Sequence, residues 1–196
     1  MAPHSFRSGS MHLFHPARIV QAVYLGGVLN THCIAKPEIT RRLGEARGVF
    51  QSLHKCWSHA NNSRLRKVTL YRAVVVSKLL YNLESVWTLQ ADRNRLNSFH
   101  AQCLRKICRI PCAYVSRVSN HSILERTGEH LLSEDLFTRQ KKLYKTIAAL
   151  SEEDPLRKLT CEPNSNAPRI WDESRSRGRP RQQWASCART LCADAP

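Results

Sequence analysis

KVTLYRAVVVSKLLYNLESVWTLQADRNRLNSFHAQCLRKICRIP, residues 67–111, decides the fold. Its first half is apolar on nearly every side: Ala73, Val74, Val75, Val76, Leu79, Leu80, Tyr81 and Leu83. A helix that is apolar all round belongs inside a core. A break follows Glu84, at Trp87. The second half carries a sharper stripe of Leu96, Phe99 or His100, Cys103 and Ile107, with Leu104 beside it. Steps of three and four put these on one helical face. Arg95, Gln102, Lys106 and Arg109 fall on the opposite face, and Pro111 stops the helix. The stretch therefore predicts a buried helix joined to an amphipathic one with a cationic outer edge.

Working outward, Lys36 to Trp57 predicts another helix, with Pro37 at its first position. Ile39, Leu43, Ala46, Phe50, Leu53 and Trp57 form its inner stripe, and Arg41, Arg42, Arg47 and Lys55 its far face. Ser58 to Ser63 is a loop, and Ser63 is placed to cap the buried helix. Ile19 to Ile34, punctuated by Gly26-Gly27, predicts a short hairpin. Beyond Pro111, residues 113–120 form a polar link. A short helix follows from Ser122 to Thr127, with Gly128 as its stop. Ser133, followed by Glu134 and Asp135, is a good start for the next helix. Its stripe is Leu136, Leu143, Ile147 and Leu150; its outer side is Arg139, Lys141, Lys142 and Lys145, and Pro155 ends it. Thr160 to Ala167 is a linker, Arg175 to Arg181 is low-complexity, and Gln182 to Cys192 makes a last short helix. The fold class is mainly α: an irregular helical bundle with a short N-terminal β-hairpin and a flexible basic C-terminal tail. The expected organisation is a disordered leader over 1–18, a helical domain over 19–155, and linker, Arg-rich segment and terminal helix over 156–196.

The chain has 196 residues, 31 Lys or Arg against 15 Asp or Glu, and a net charge of +16. Residues 36–110 hold fifteen basic and four acidic side chains, which is +11 of the total. Residues 111–168 balance eight against eight, and residues 169–196 hold six against three. A field localised on the central helices attracts polyanions, nucleic acid first among them. No run of residues approaches the length of a membrane span. Phosphate contacts are expected from Arg41, Arg42 and Arg47 on one helix and from Arg95, Lys106 and Arg109 on another. Lys67 and Lys78, eleven residues apart, return to nearly one helical face and join them. The tail adds Arg175, Arg177, Arg179 and Arg181. Arg177-Gly178-Arg179-Pro180 matches the core of an AT-hook, whose arginines enter the narrow minor groove of A·T tracts.

The eight cysteines lack the Cys-x2-Cys spacing that presents two thiolates to one ion. His54, Cys56 and His59 cluster, and Cys108 and Cys112 precede His121, without a ligand pattern. No cofactor or structural metal is expected, and the thiols are expected to be reduced. There is no Asp-Asp pair and no Gly-rich phosphate loop.

Lys67, Leu70 to Ala73, Val75, Ser77, Leu79 to Tyr81, Glu84 and Trp87, then Leu96, Phe99, Cys103 to Arg105 and Ile107, resemble a known pattern. It is the region after the catalytic palm in reverse transcriptases of non-LTR (LINE-type) retrotransposons. Tyr24-Leu25-Gly26 resembles the strand that precedes the thumb in those enzymes. Gly178-Arg179-Pro180-Arg181 with Trp184 resembles their closing motif. The family usually carries a Trp-Leu-Gly-His-type element where this chain has Lys145 to Leu150. The resemblance implies a thumb and post-thumb segment of an RNA-directed DNA polymerase. Such a segment would hold primer–template or element RNA by phosphate contacts and would not itself be an enzyme, since the palm with its paired aspartates lies upstream of the matched region. Its implied partners are nucleic acid, RNA or DNA, and the palm and fingers; its implied compartment is intracellular, nuclear or cytoplasmic, with no membrane. Two other readings stand beside it: a free-standing DNA-binding protein acting through the RGRP tail, and a degenerate transposon-derived frame.

Overall fold

The computed structural model describes residues 21–24, 27–30, 35–59, 61–170 and 182–193. It falls into two compact units, one ending at Cys33 and one beginning at Ile34. The first holds the expected hairpin: β1 (Gln21–Tyr24) and β2 (Gly27–Asn30) are antiparallel, with Ala22 opposite Leu29 and Tyr24 opposite Gly27. The expected leader lies outside the described residues. The second unit is helical. It takes in the helices after residue 155, where a linker, an Arg-rich segment and a short terminal helix were expected.

Helix α1 runs from Lys36 to His59 and buries Ile39, Leu43, Ala46, Phe50 and Trp57, as its period requires. Helix α2 (Arg64–Tyr71) starts where Ser63 Oγ accepts from the Arg66 amide at 3.3 Å. It passes without a break into a π-helical turn, Arg72–Val76, and then into α3, Ser77–Leu80. Three successive valines crowd the preceding turn of a regular helix. Ser77 Oγ also donates to the Ala73 carbonyl at 2.5 Å. The segment is not buried all round, as its composition suggested. Val75, Val76, Leu79, Leu80 and Leu83 face the core, while Val74 and Tyr81 are 42% and 53% exposed. The helix ends at Asn82, whose φ of 61° is left-handed.

Helix α4 (Gln90–Ile107) buries Leu96, Phe99, His100, Cys103, Leu104 and Ile107, the whole expected stripe. It closes in a Schellman motif. The Ile110 amide donates to the Arg105 carbonyl at 2.9 Å and the Arg109 amide to the Lys106 carbonyl at 3.2 Å. A short α5 (Ala113–Ser116) occupies the expected polar link. Helix α6 (Asn120–Thr127) ends in the same motif, with Gly128 at φ 66°.

Helix α7 (Leu132–Ala148) begins one residue before Ser133, which is not its cap. The Ser133 amide donates to Asn97 Oδ1 and its hydroxyl accepts from Asn97 Nδ2, both at 3.0 Å. An amide on α4 thus does the capping. Leu136 and Ile147 are buried as expected; Gln140 and Tyr144 are buried too, through hydrogen bonds of 2.8 Å to the Val86 and Asn166 carbonyls. Pro155 does not end a helix. It opens α8 (Pro155–Thr160), capped by Asp154. The expected linker after it is closed on itself by a bridge between Cys161 and Pro168. Helix α9 (Trp184–Ala193) packs on α7, with Ala188 fully buried and Trp184 Nε1 donating to the Glu84 carbonyl at 2.7 Å.

A polar cluster sits where α2, α4 and α7 meet. Tyr71 Oη lies 2.8 Å from His100 Nδ1, and the two rings stack at 5.6 Å. Arg72 is hydrogen-bonded to Glu129, and to Asp135 at 2.9 Å. His100 Nε2 is 3.9 Å from Glu129 and has no hydrogen-bond partner among the described residues. Burial, then the nearby Arg72 charge, pushes His100 down to about 4 from an ordinary 6.5. Between those values the unfolded chain binds the proton and the folded one does not. Stability is complete above 6.5 and falls as pH drops toward 4. The loss from pH 7 to pH 5 should be about 2 kcal/mol. Urea titrations at the two pH values should show it in the parent and lose it in His100→Phe; an equal pH slope in both would refute this assignment.

Candidate nucleic-acid interface

Helices α1 and α4 run side by side in the same direction. Arg95 Nη2 donates to Thr40 Oγ1 at 3.0 Å, and the Lys106 ammonium stands 6.0 Å from the Phe50 ring. The two contacts are thus ten residues apart on one helix and eleven on the other. At 1.5 Å per residue the seam is about 15 Å long.

The sequence-predicted cations divide along it. Arg47, Lys106 and Arg109 are exposed, and among the described residues none of their side chains makes a hydrogen bond or ion pair. Arg47 and Lys106 both lie close to Cys103. Burial pushes the Cys103 thiol up to about 12, while Lys106, the Tyr71 hydroxyl and Arg47 pull the other way. Arg95 is half committed, held to Asp92 at 3.3 Å as well as to Thr40.

Arg41 and Arg42 differ from expectation. Arg41 donates to Glu38 at 2.8 Å and to Glu45 at 2.5 Å. Arg42 is not on an outer face but 5% exposed, donating to Glu38 at 2.6 Å and lying 4.8 Å over the Tyr81 ring. Burial alone would raise the Glu38 carboxyl; the two guanidiniums outweigh it and hold it below its ordinary value. Two arginines and two glutamates make this end of α1 close to neutral.

Lys67 and Lys78 do not share a face, since Lys67 is buried and Lys78 exposed. The eleven-residue rule assumes an unbroken α-helix. The π turn between them acts as one extra residue, which rotates everything downstream by about 100°. Arg175, Arg177, Arg179 and Arg181 lie outside the described residues.

Two cations that the sequence reading passed over belong at the seam's end. Burial raises the Cys108 thiol, and Arg64 and Arg126 both pull it down. These arginines, from the start of α2 and the last turn of α6, therefore flank the end of α4. They are 44 and 18 residues from Cys108 in chain order, one on either side of it, so no local pattern could have joined them. Arg109 occupies the left-handed position of the α4 terminus, with φ 56°. Gly128 fills the same position in α6. Arginine there costs about 1 kcal/mol that glycine does not.

A second basic surface lies on α7, where Lys141, Lys142 and Lys145 line an open groove with Thr138, Thr146 and Leu150. Among the described residues no three His, Cys, Asp or Glu side chains are grouped to hold a metal, and seven cysteines are free thiols. No described helix is long and apolar enough to cross a membrane. No protein-family model, curated protein or solved structure matches this chain.

Proposed function

We propose that the chain binds nucleic acid through its phosphates and belongs to the post-palm part of a retrotransposon reverse transcriptase. One observation carries the binding: Arg47 on α1, Lys106 on α4 and Arg109 just past the end of α4 stand exposed, and among the described residues no carboxylate pairs with them. Arg64 and Arg126 extend the positive field at the seam's end. Such contacts hold a backbone in register without reading its sequence. The family attribution rests on the order of sequence matches between Lys67 and Ile107 and at Gly178 to Trp184. The chain has no adjacent aspartates, so on this reading it positions primer–template for a polymerase centre held elsewhere and does not extend a primer itself.

Binding should come mainly from counterion release. The log–log salt slope on duplex DNA should be near −0.9 per phosphate neutralised. Changing Arg47, Lys106 and Arg109 together to Ala should flatten it by about two to three. A charge-matched control at Lys36, Arg139 and Lys158 should flatten it by less than about one. Discrimination between sequences should not change. Salt-independent affinity, or equal slopes in the two triple variants, would refute the seam; primer extension with magnesium and nucleotides would refute the non-catalytic role. If the RGRP tail were the binding element instead, removing residues 175–181 would abolish affinity.

A further inference from the structure

We infer that Tyr114 is a stacking platform for an unpaired nucleobase at the end of the α1–α4 seam. The inference rests on the reading of that seam as a phosphate-binding surface.

Tyr114 is 81% exposed, more than any other large apolar side chain among the described residues, and Val115 beside it is 65% exposed. An exposed tyrosine on a loose loop would mean little. This one is held. Arg105, 6% exposed on α4, donates to the carbonyls of Pro111 at 3.1 Å and Val118 at 2.5 Å, on either side of α5. It also reaches Asn120 Oδ1 at 2.9 Å. Ser116 Oγ adds bonds to the Pro111 and Cys112 carbonyls. A buried guanidinium thus fixes a loop whose only large exposed apolar side chains are Tyr114 and Val115. A platform already fixed loses little conformational freedom when a ligand lands on it.

The charge around the tip selects the ligand. The Arg117 guanidinium lies 5.4 Å from the Tyr114 ring centroid, yet the residue remains 81% exposed, so the other face of the ring is open. Arg109 and Arg117 bracket the tip, both left-handed at φ 56°. From Arg93 to Leu124 the chain has six Lys or Arg and no Asp or Glu. The first acid beyond, Glu125, is 3.4 Å from His121 on its own helix. An aromatic face among cations fits a base with its flanking phosphate, and any base has a face to offer. Two side chains are too small a surface to anchor a protein partner.

The experiment compares a blunt DNA duplex with the same duplex carrying a short single-stranded overhang, using the full chain. The parent should prefer the overhang. Tyr114→Ala should lose that preference, by about five- to a hundredfold for one stacked base, and keep its affinity for the blunt duplex. Tyr114→Trp should retain it, and an abasic first overhang nucleotide should remove it from the parent alone. The salt slope should be the same in all three proteins, because no charge is changed. Tyr114→Ala binding both duplexes like the parent would overturn the platform and leave the seam standing. Failure of the parent to bind either duplex would overturn both. A dimer in sedimentation equilibrium that Tyr114→Ala dissolves would assign the tip to a second copy and overturn the platform.

Discussion

Leu80→Asp should cost the helical unit a large part of its stability. Leu80 is fully buried, one residue before the chain turns out of α3, and packs in one cluster with Val76, Leu79 and residues of α1 and α4. The aspartate must either keep its charge in an apolar site or hold a proton at neutral pH, and both cost free energy. The loss should be about 4 kcal/mol or more, against a total stability of about 5–15 kcal/mol for a domain of ordinary size. Val74→Asp supplies the contrast. It lies six residues earlier, on the same apolar run, at 42% exposure. Its cost should stay within about 0.5 kcal/mol. Circular dichroism melts of the two variants decide the matter: similar midpoints would show that the buried arc of this segment has been misassigned.

Arg105→Ala should cost about 3 kcal/mol. The substitution removes the donors from the Pro111 and Val118 carbonyls and from Asn120, and leaves a gap where the side chain lay. Arg105→Lys should recover less than half of this, because a single ammonium cannot reach acceptors on both sides of α5 as a planar fork does. Denaturant titration gives the stability, and hydrogen exchange over residues 111–119 should rise in both variants. A midpoint unchanged in Arg105→Ala would mean the fork contributes nothing. The same variant should also lose the preference for an overhang, through the loosened tip.

Much of the fold was legible because helical period is a local property. The stripes Ile39 to Trp57 and Leu96 to Ile107 were read correctly, as were the cap at Ser63 and the stop at Gly128. The misreadings came where one local rule had two outcomes. Pro155 ends a helix or begins one; here Asp154 in front of it decides for a beginning. Ser133 is a cap only if its amide neighbours need one, and Asn97 supplies that from another helix. Valines 74–76 look uniformly internal until a π turn shifts the phase, and then Val74 is outside. The seam was half legible. Lys106 and Arg47 follow from helical spacing, but Arg42 is drawn inside by Glu38 and Tyr81. The convergence of Arg64 and Arg126 on α4 is a matter of tertiary packing alone. Arg105 sits on the inner side of a basic helix, and nothing in its neighbours distinguishes it from the arginines that face water.

Trp184 and Gln182 meet Glu84 and Trp87 across 100 and 95 residues of chain. During synthesis that separation becomes a delay. At about 5–20 residues per second the early helices wait roughly five to twenty seconds for α9 to leave the ribosome. Until then Tyr144 lacks the ring of Trp184 beside it and Trp87 lacks its partner Gln182. A nascent chain in this condition presents an apolar groove to chaperones. A messenger ending early, before residue 182, would make that condition permanent, and the product should be cleared by proteolysis far faster than the full chain.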